Sequence, residues 1–206
     1  MSQVFASLGE RELETLRRVS HVGFDHAATA LSQLLGLKVH LEAPEVRVLP
    51  LKEVTSLIGG EERLVAALYL RILGDARGNI LVLFSREAMA SLLGLLMGKM
   101  AGRAAALSEE DGSALKEVGN ILASAYLSAL SDLLRLTLIP SIPHLAFDLA
   151  GAVIDLVLKD LSGISSSALV IETRFQDPSR HIEGHILLMP HPHSLAGLFK
   201  AIKKRG

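Results

Sequence analysis

Glu117 and Asn120 are the residues whose types and spacing suggest chemistry. Three positions apart on a helix, a carboxylate and a carboxamide stand on one face. At about 100° per residue, Ser113, Glu117, Asn120, Ser124, Ser128 and Ser131 fall within a stripe roughly 80° wide. An ordinary solvated helix face carries long Lys, Glu, Arg and Gln stems. This stripe is an acid and an amide set among short hydroxyl side chains, which suits the close approach of another macromolecule.

The element that must position them is one long helix. Ser108 and Asp111 form a capping-box start, and the helical pattern continues to Leu134. Leu115, Val118, Leu122, Ala125, Ala129 and Leu133 recur at helical spacing and are expected to face a core.

Composition narrows the classes. A chain of 206 residues favours one sizeable core, and a net charge of −1 gives no electrostatic case for nucleic acid or an anionic membrane. The absence of cysteine excludes disulfides, zinc thiolate sites and a thiol nucleophile, and aromatic residues at 4% count against stacking platforms. Half of the residues are hydrophobic. The longest apolar runs are nevertheless too short to span a bilayer or are broken by Asp148 and Asp155, so no membrane insertion is expected. Residues 1–18 lack an apolar signal core and carry Glu10, Arg11, Glu12 and Glu14, so a cytoplasmic location is expected.

In chain order, Ser7 and Glu10 suggest a capping box opening a first helix that runs to Leu35 and stops at Gly36. Strand composition follows at Lys38–His40, Val46–Leu49 and Leu64–Leu73. The GDARGN turn from Gly74 to Asn79 leads into the apolar strand Ile80–Phe84. Ser85, Arg86 and Glu87 open a helix to about Met97, and GKMAGRAA links it to the long helix. The two prolines of TLIPSIP interrupt helix after Arg135. Leu145 to Leu161 reads as an apolar helix, Ala168–Phe175 and Gly184–Met189 as strands joined by the DPSRH turn, and His193–Lys204 as a terminal helix.

The two halves match one another. Leu16, Val19 and Ala30 align with Leu115, Val118 and Ala129 at an offset of 99, as does Pro44 with Pro143. GNILVLF from Gly78 aligns with GHILLMP from Gly184 at an offset of 106, which places a net seven-residue insertion between Pro143 and Gly184. An internal duplication is expected, with halves of about 7–98 and 107–206. The simplest product is a single pseudo-twofold α+β domain over 1–206, two long helices packed on a shared, mainly antiparallel sheet.

Ser113, Glu117, Asn120 and Pro143, embedded in SALKEVGNILASAYLSALSDLL, carry a resemblance to the CheC, CheX and FliY family of chemotaxis phosphatases, with CheC the nearest pattern. HVGFDHAATALSQLLGLKV with Pro44 resembles a first copy of the motif. There the frame is kept but Glu117 corresponds to Arg18 and Asn120 to His21, so only the second site is intact. The first-helix stripe becomes Glu14, Arg18, His21, Asp25, Thr29 and Ser32, bulkier than its twin.

The resemblance implies a phosphatase acting on a phosphorylated CheY-type response regulator. Phosphoryl transfer is catalysed chiefly by positioning and electrostatics, and the Mg2+ is expected on the regulator, with no cofactor on this chain. Asn120 would hold the in-line water through a donor and an acceptor, Glu117 would pair with a lysine of the regulator, and Ser113 would belong to the helix face. Small neighbours, Gly119 among them, would let Asn120 enter a partner's pocket. CheC proteins are understood to bind the deamidase CheD through a short helix near a position matching Asp148; Phe147, Leu149, Val153 and Leu156 around it could equally be core. The alternative is a non-catalytic adaptor of the same fold that binds CheD or the flagellar switch.

Plainer readings stand beside these. A Glu and an Asn on an exposed helix are usually just solvated, and here the matching frame of two copies favours function. His21, His26 and Asp25 bring too few ligands together for a metal site. His181, His185, His191 and His193 read as structural, and KKRG as complementing a helix dipole.

Overall fold

The structure, a computed structural model, describes residue 5 and residues 8–98, 107–177 and 182–204. GKMAGRAA beyond Gly98, Ser7, most of DPSRH and the last two residues lie outside the described residues. The first half contains α1 (Glu10–Leu35), β1 (His40–Leu41), β2 (Glu45–Pro50), a 3-10 helix (Leu51–Ile58), β3 (Leu64–Gly74), β4 (Gly78–Phe84) and α2 (Arg86–Met97). The second contains α3 (Glu109–Leu134), β5 (Leu138–Pro140), β6 (His144–Leu149), α4 (Ala150–Ser162), β7 (Ser167–Asp177), β8 (Ile182–Pro190) and α5 (Pro192–Lys203).

The duplication is written into these boundaries. The helices α1 and α3 are both 26 residues long and start 99 positions apart. One eight-stranded sheet runs β1-β7-β8-β4-β3-β5, with β2 also on β7 and β6 also on β3. Every pairing is antiparallel. Each half therefore lends its first two strands to the other half's sheet edge. At the centre β4 pairs with β8, and Leu81 faces Leu187. Those two leucines are 106 positions apart and fully buried, so the pseudo-twofold axis passes through their pair.

The seven extra residues divide. The offset is 99 for β2 and β6, 103 for β3 and β7, and 106 for β4 and β8. Four residues thus enter where α4 replaces the short 3-10 helix, and three enter between β7 and β8. Two cores result. On one side of the sheet Leu68, Leu70, Val82 and Ile186 pack beneath α1, α2, α3 and α5. On the other, Val65, Leu81, Leu83 and Leu187 are covered by α4 and the 3-10 helix.

Two local expectations are corrected, and a third holds with an added strand. The first helix begins at Glu10 with Gly9 as its N-cap, and the Gly9 N–H donates to the Glu12 carboxylate at 3.1 Å. Ser7 is not described. Leu145 to Leu161 is not one helix: Leu145–Leu149 is strand, paired with β3, and the helix starts at Ala150. The proline-bearing TLIPSIP stretch contains β5, with Pro140 ending the strand and Pro143 buried in the loop after it. Among the described residues no helix is long and apolar enough to cross a membrane.

The two long helices cross on the axis with complementary bulk. A Cβ added at Gly23 would lie 2.6 Å from the Tyr126 ring, so glycine is required for α1 to reach α3. Phe24 packs on the same ring in a tilted arrangement at a centroid distance of 4.6 Å, and the Tyr126 hydroxyl donates to Ser20 Oγ at 3.4 Å. Burial raises the Tyr126 phenol well above its ordinary value, and the Ser20 bond opposes this only in part.

Candidate active site

The helix that carries Glu117 and Asn120 is firmly started. Ser108 Oγ accepts from the Asp111 N–H at 3.1 Å, and the Asp111 carboxylate accepts from the Ser108 N–H at 3.0 Å. Three acidic residues in the first turn complement the helix dipole. Leu115, Val118, Leu122 and Ala129 face the core, as their spacing predicts, while Ala125 and Leu133 lie at its margin. Gly119, Ala123, Tyr126, Leu127, Leu130 and Leu134 widen the buried arc, because both α1 and the sheet pack against this helix.

On the opposite arc Ser113 and Glu117 are exposed and Asn120 is partly exposed. Among the described residues no hydrogen bond or ion pair engages Glu117 or Asn120. Both polar heads are available to an incoming partner. Ser124 and Ser128 continue the stripe as short side chains.

Two neighbours have roles the sequence did not reveal. Gly119 is buried, and a Cβ there would come within 3.2 Å of Leu68, so it seats α3 on β3; its smallness serves packing, not access. Ser131 belongs to the strand that follows: its Oγ accepts from the Leu138 N–H at 3.1 Å and donates to the Leu138 carbonyl at 3.4 Å. Ser32 Oγ likewise accepts from the Val39 N–H in the first copy, at 3.0 Å and the same offset, but donates back to the Ala28 carbonyl at 2.7 Å. A serine late in a long helix that precedes an edge strand is the only sequence signal of this anchor.

The strand pair β5–β6 then borders the stripe. Leu138 is tied to Ser131 near one end of α3, and Leu145 packs against Gly112 near the other. The loop Ser141–Pro143 falls in the chain between those two contacts. Its backbone is pinned to β3, the Ser141 N–H donating to the Arg71 carbonyl at 2.8 Å and Ser141 Oγ accepting from the Arg71 N–H at 2.9 Å. Pro143 is buried there, as Pro44 is in the first copy.

Arg18 and His21 occupy the matching places on α1, and both are exposed. His21 Nε2 lies 3.7 Å from Asp25 Oδ2 with both side chains more than half exposed, a surface pair of little energetic weight. Among the described residues no group of three His, Asp or Glu side chains gathers as a metal site. His185 instead bonds Glu172, Nδ1 to Oε1, at 3.0 Å. Glu172 is a buried carboxylate in β7 that alternation alone would have passed as an ordinary strand residue; its Oε1 is also 3.7 Å from Arg174 Nε. His191 is the N-cap of α5, and His193 is within that helix and not in a loop.

Asp148 is in β6, opposite Val65, and is exposed; it is not in a helix. Of the residues around it, Val153 is core, whereas Phe147, Leu149 and Leu156 are exposed.

A pseudo-twofold sheet with crossed long helices, one of which bears a free acid–amide pair, defines a class that comparison with known proteins specifies. The model of the CheC-like family matches residues 111–145, the segment that contains Ser113, Glu117, Asn120 and Pro143. A Bacillus subtilis (strain 168) protein named CheY-P phosphatase CheC is 34% identical over 203 residues, 97% of each chain. The chain belongs to the CheC-like family. Among solved structures, Thermotoga maritima FliY has a TM-score of 0.75 at 18% identity and covers 97% of this chain and 100% of that one. FliM in its complex with SpeE from H. pylori has a TM-score of 0.70 at 9% identity, covering 96% and 97%. These two likenesses show that the fold is shared.

Proposed function

We propose that this chain is a phosphatase of a phosphorylated CheY-type response regulator, with its activity in the single Glu117–Asn120 site. The observation that carries the reading is that these two side chains stand on the α3 stripe with no partner among the described residues, in a chain whose 34% identical relative bears the name CheY-P phosphatase. Asn120 enters the regulator's active site and holds a water in line with the phosphorus, its Oδ1 accepting a hydrogen bond from the water and its Nδ2 donating one to the water oxygen. Glu117 pairs with the regulator's active-site lysine and fixes the docked orientation. The regulator brings its own Mg2+, which neutralises developing charge on the phosphoryl oxygens, so α3 needs no metal. Neither residue becomes covalently attached.

The test is decay of the regulator's phosphate with substoichiometric protein. Wild type should turn over many equivalents, and Asn120→Ala should bind the phosphorylated regulator but not accelerate decay. Unchanged turnover in that variant would defeat the reading. Acceleration absent in wild type, with stoichiometric binding, would favour the adaptor.

CheD is a second partner under the same reading, docking at the junction of β6 and α4. Exposed Asp148, with Phe147 at 44%, Leu149 at 43% and Leu156 at 62% exposure, supports such a surface. Asp148→Lys should weaken CheD binding; an unaltered affinity would remove Asp148 from the interface.

A further inference from the structure

At the end of the sheet, where the β3–β4 hairpin meets the start of α5, an open groove of about 800 Å³ is lined by Arg71, Leu73, Asp75, Arg77, His191 and His193, among others. Its walls are preformed. The Arg77 N–H donates to Ser194 Oγ at 2.8 Å, and the Arg77 carbonyl accepts from the His191 N–H at 2.8 Å. These bonds lock the hairpin turn to the first turn of α5. Asp75, the one acid lining it, is already engaged, its Oδ2 accepting from the Thr137 N–H at 2.7 Å. The Thr137 contact places the groove at the C-terminal end of α3, fourteen residues and so about 20 Å along the helix from Asn120.

The pseudo-twofold provides an internal control. The matching strand ends in the other half border a different hollow, about 310 Å³, walled by Leu57, Ile58 and Gly59 where the groove has the start of α5; Arg174 stands at the position of Arg71, Glu183 at that of Arg77 and Gln176 at that of Leu73. Its charges are mutually satisfied: Arg63 pairs with Glu183 at 3.4 Å, Arg174 with Glu42 at 3.6 Å, and His185 with Glu172 at 3.0 Å. In the larger groove the Arg77 guanidinium enters no ion pair among the described residues. Leu73 is 43% exposed in its wall, and its cross-strand partner Ile139 is 52% exposed. The Arg77 guanidinium close to an exposed apolar pair complements acidic and aliphatic side chains together.

We propose that this groove is a docking site for an acidic peptide segment of a partner protein, with a carboxylate on Arg77 and an aliphatic side chain on Leu73, beside which Ile139 extends the apolar surface. The site is separate from the phosphatase stripe and does not depend on it.

Fluorescence anisotropy with the full chain and a labelled peptide of alternating glutamate and leucine tests this. A lysine–leucine peptide, a glutamate–serine peptide and anionic vesicles serve as the other arms. The glutamate–leucine peptide should bind best and weaken with salt. Arg77→Glu, on an exposed turn, should weaken binding about tenfold or more, and Leu73→Ser severalfold, while Arg174→Glu in the smaller hollow leaves it unchanged. A melting temperature matching wild type separates lost docking from misfolding, and Arg77→Lys should restore most of the affinity. The proposal is overturned if Arg77→Glu binds as wild type does, if the glutamate–serine peptide binds as tightly as the glutamate–leucine one, or if only vesicles bind.

Discussion

The two halves of this molecule share a backbone and differ on their surfaces. Helices of equal length, strands in matching register and twin serine anchors at Ser32 and Ser131 show that the frame has been kept in both. The exposed stripes have diverged. On α3 the frame presents Glu117 and Asn120 with no partner among the described residues, and on α1 it presents Arg18 and a His21 that lies beside Asp25. Packing constraints act on buried faces, where a methylene matters, and surface positions are free of them. Exposed pairs at matching positions can therefore differ between the copies at no cost to folding.

The sharpest way to break the comparison is to swap the consequences. Under the proposed function, Asn120→Ala should lower the rate of regulator dephosphorylation by about 100-fold or more, because a misplaced water forfeits the alignment of the reacting atoms. Arg18→Ala and His21→Ala should each change it less than about twofold, within the scatter expected of surface substitutions. A large loss in either α1 variant would show that the first copy is still in use.

The next contrast concerns the helix crossing. Gly23 faces the Tyr126 ring, whereas its counterpart in the second copy is Leu122; Tyr126 in turn has Ala27 as counterpart. Bulk on one helix is answered by a notch on the other. Gly23→Ala places a methyl 2.6 Å from a buried ring and should destabilise by about 1–3 kcal/mol, read as the urea midpoint. Gly119→Ala meets Leu68 at 3.2 Å from Cδ1 and 3.3 Å from Cβ, a milder squeeze than at Gly23 that the helix-propensity gain offsets, so its effect should stay within about 1 kcal/mol.

How much of this was legible beforehand follows from where each signal resides. The long helices were readable because caps and 3.6-residue periodicity are local, and the duplication because its offsets are constant. The segment from Leu145 was misread because apolar residues at both periods do not distinguish a strand from a helix. The alternation of Leu145, Phe147 and Leu149 is apparent only once β3 is beside it. Gly119, Ser131 and Glu172 were assigned wrongly or passed over for one reason: each is explained by a partner far away in sequence, at Leu68, Leu138 and His185. That no described residue holds Glu117 or Asn120 is likewise a tertiary fact, which the residue types alone can nominate but not show.

The twin serine anchors make a prediction of equality. Ser32→Ala and Ser131→Ala each leave a backbone N–H without its acceptor, at Val39 just before β1 and at Leu138 in β5, and both those residues are buried. Each should cost about 1 kcal/mol in denaturant titrations. A marked inequality would show that the frame, and not only the surface, has begun to diverge.

The smallest effect separates the halves by pH. Tyr126 has no counterpart hydroxyl at Ala27, and burial holds its phenol neutral in the folded chain beyond the range in which an unfolded tyrosine ionises, near about pH 10. Its folded value is raised, so its contribution to stability is fully present below about pH 10. As pH rises further, the unfolded state releases a proton that the folded state retains, and stability falls. Tyr126→Phe keeps the ring that fills the Gly23 notch and loses only the 3.4 Å bond to Ser20, so at neutral pH it should cost about 1 kcal/mol or less. Above about pH 10 the wild-type urea midpoint should drop more steeply than that of the variant, and the two should converge. Parallel curves would mean that the Tyr126 phenol ionises in the folded protein, and hence that water reaches the axis where the two copies meet.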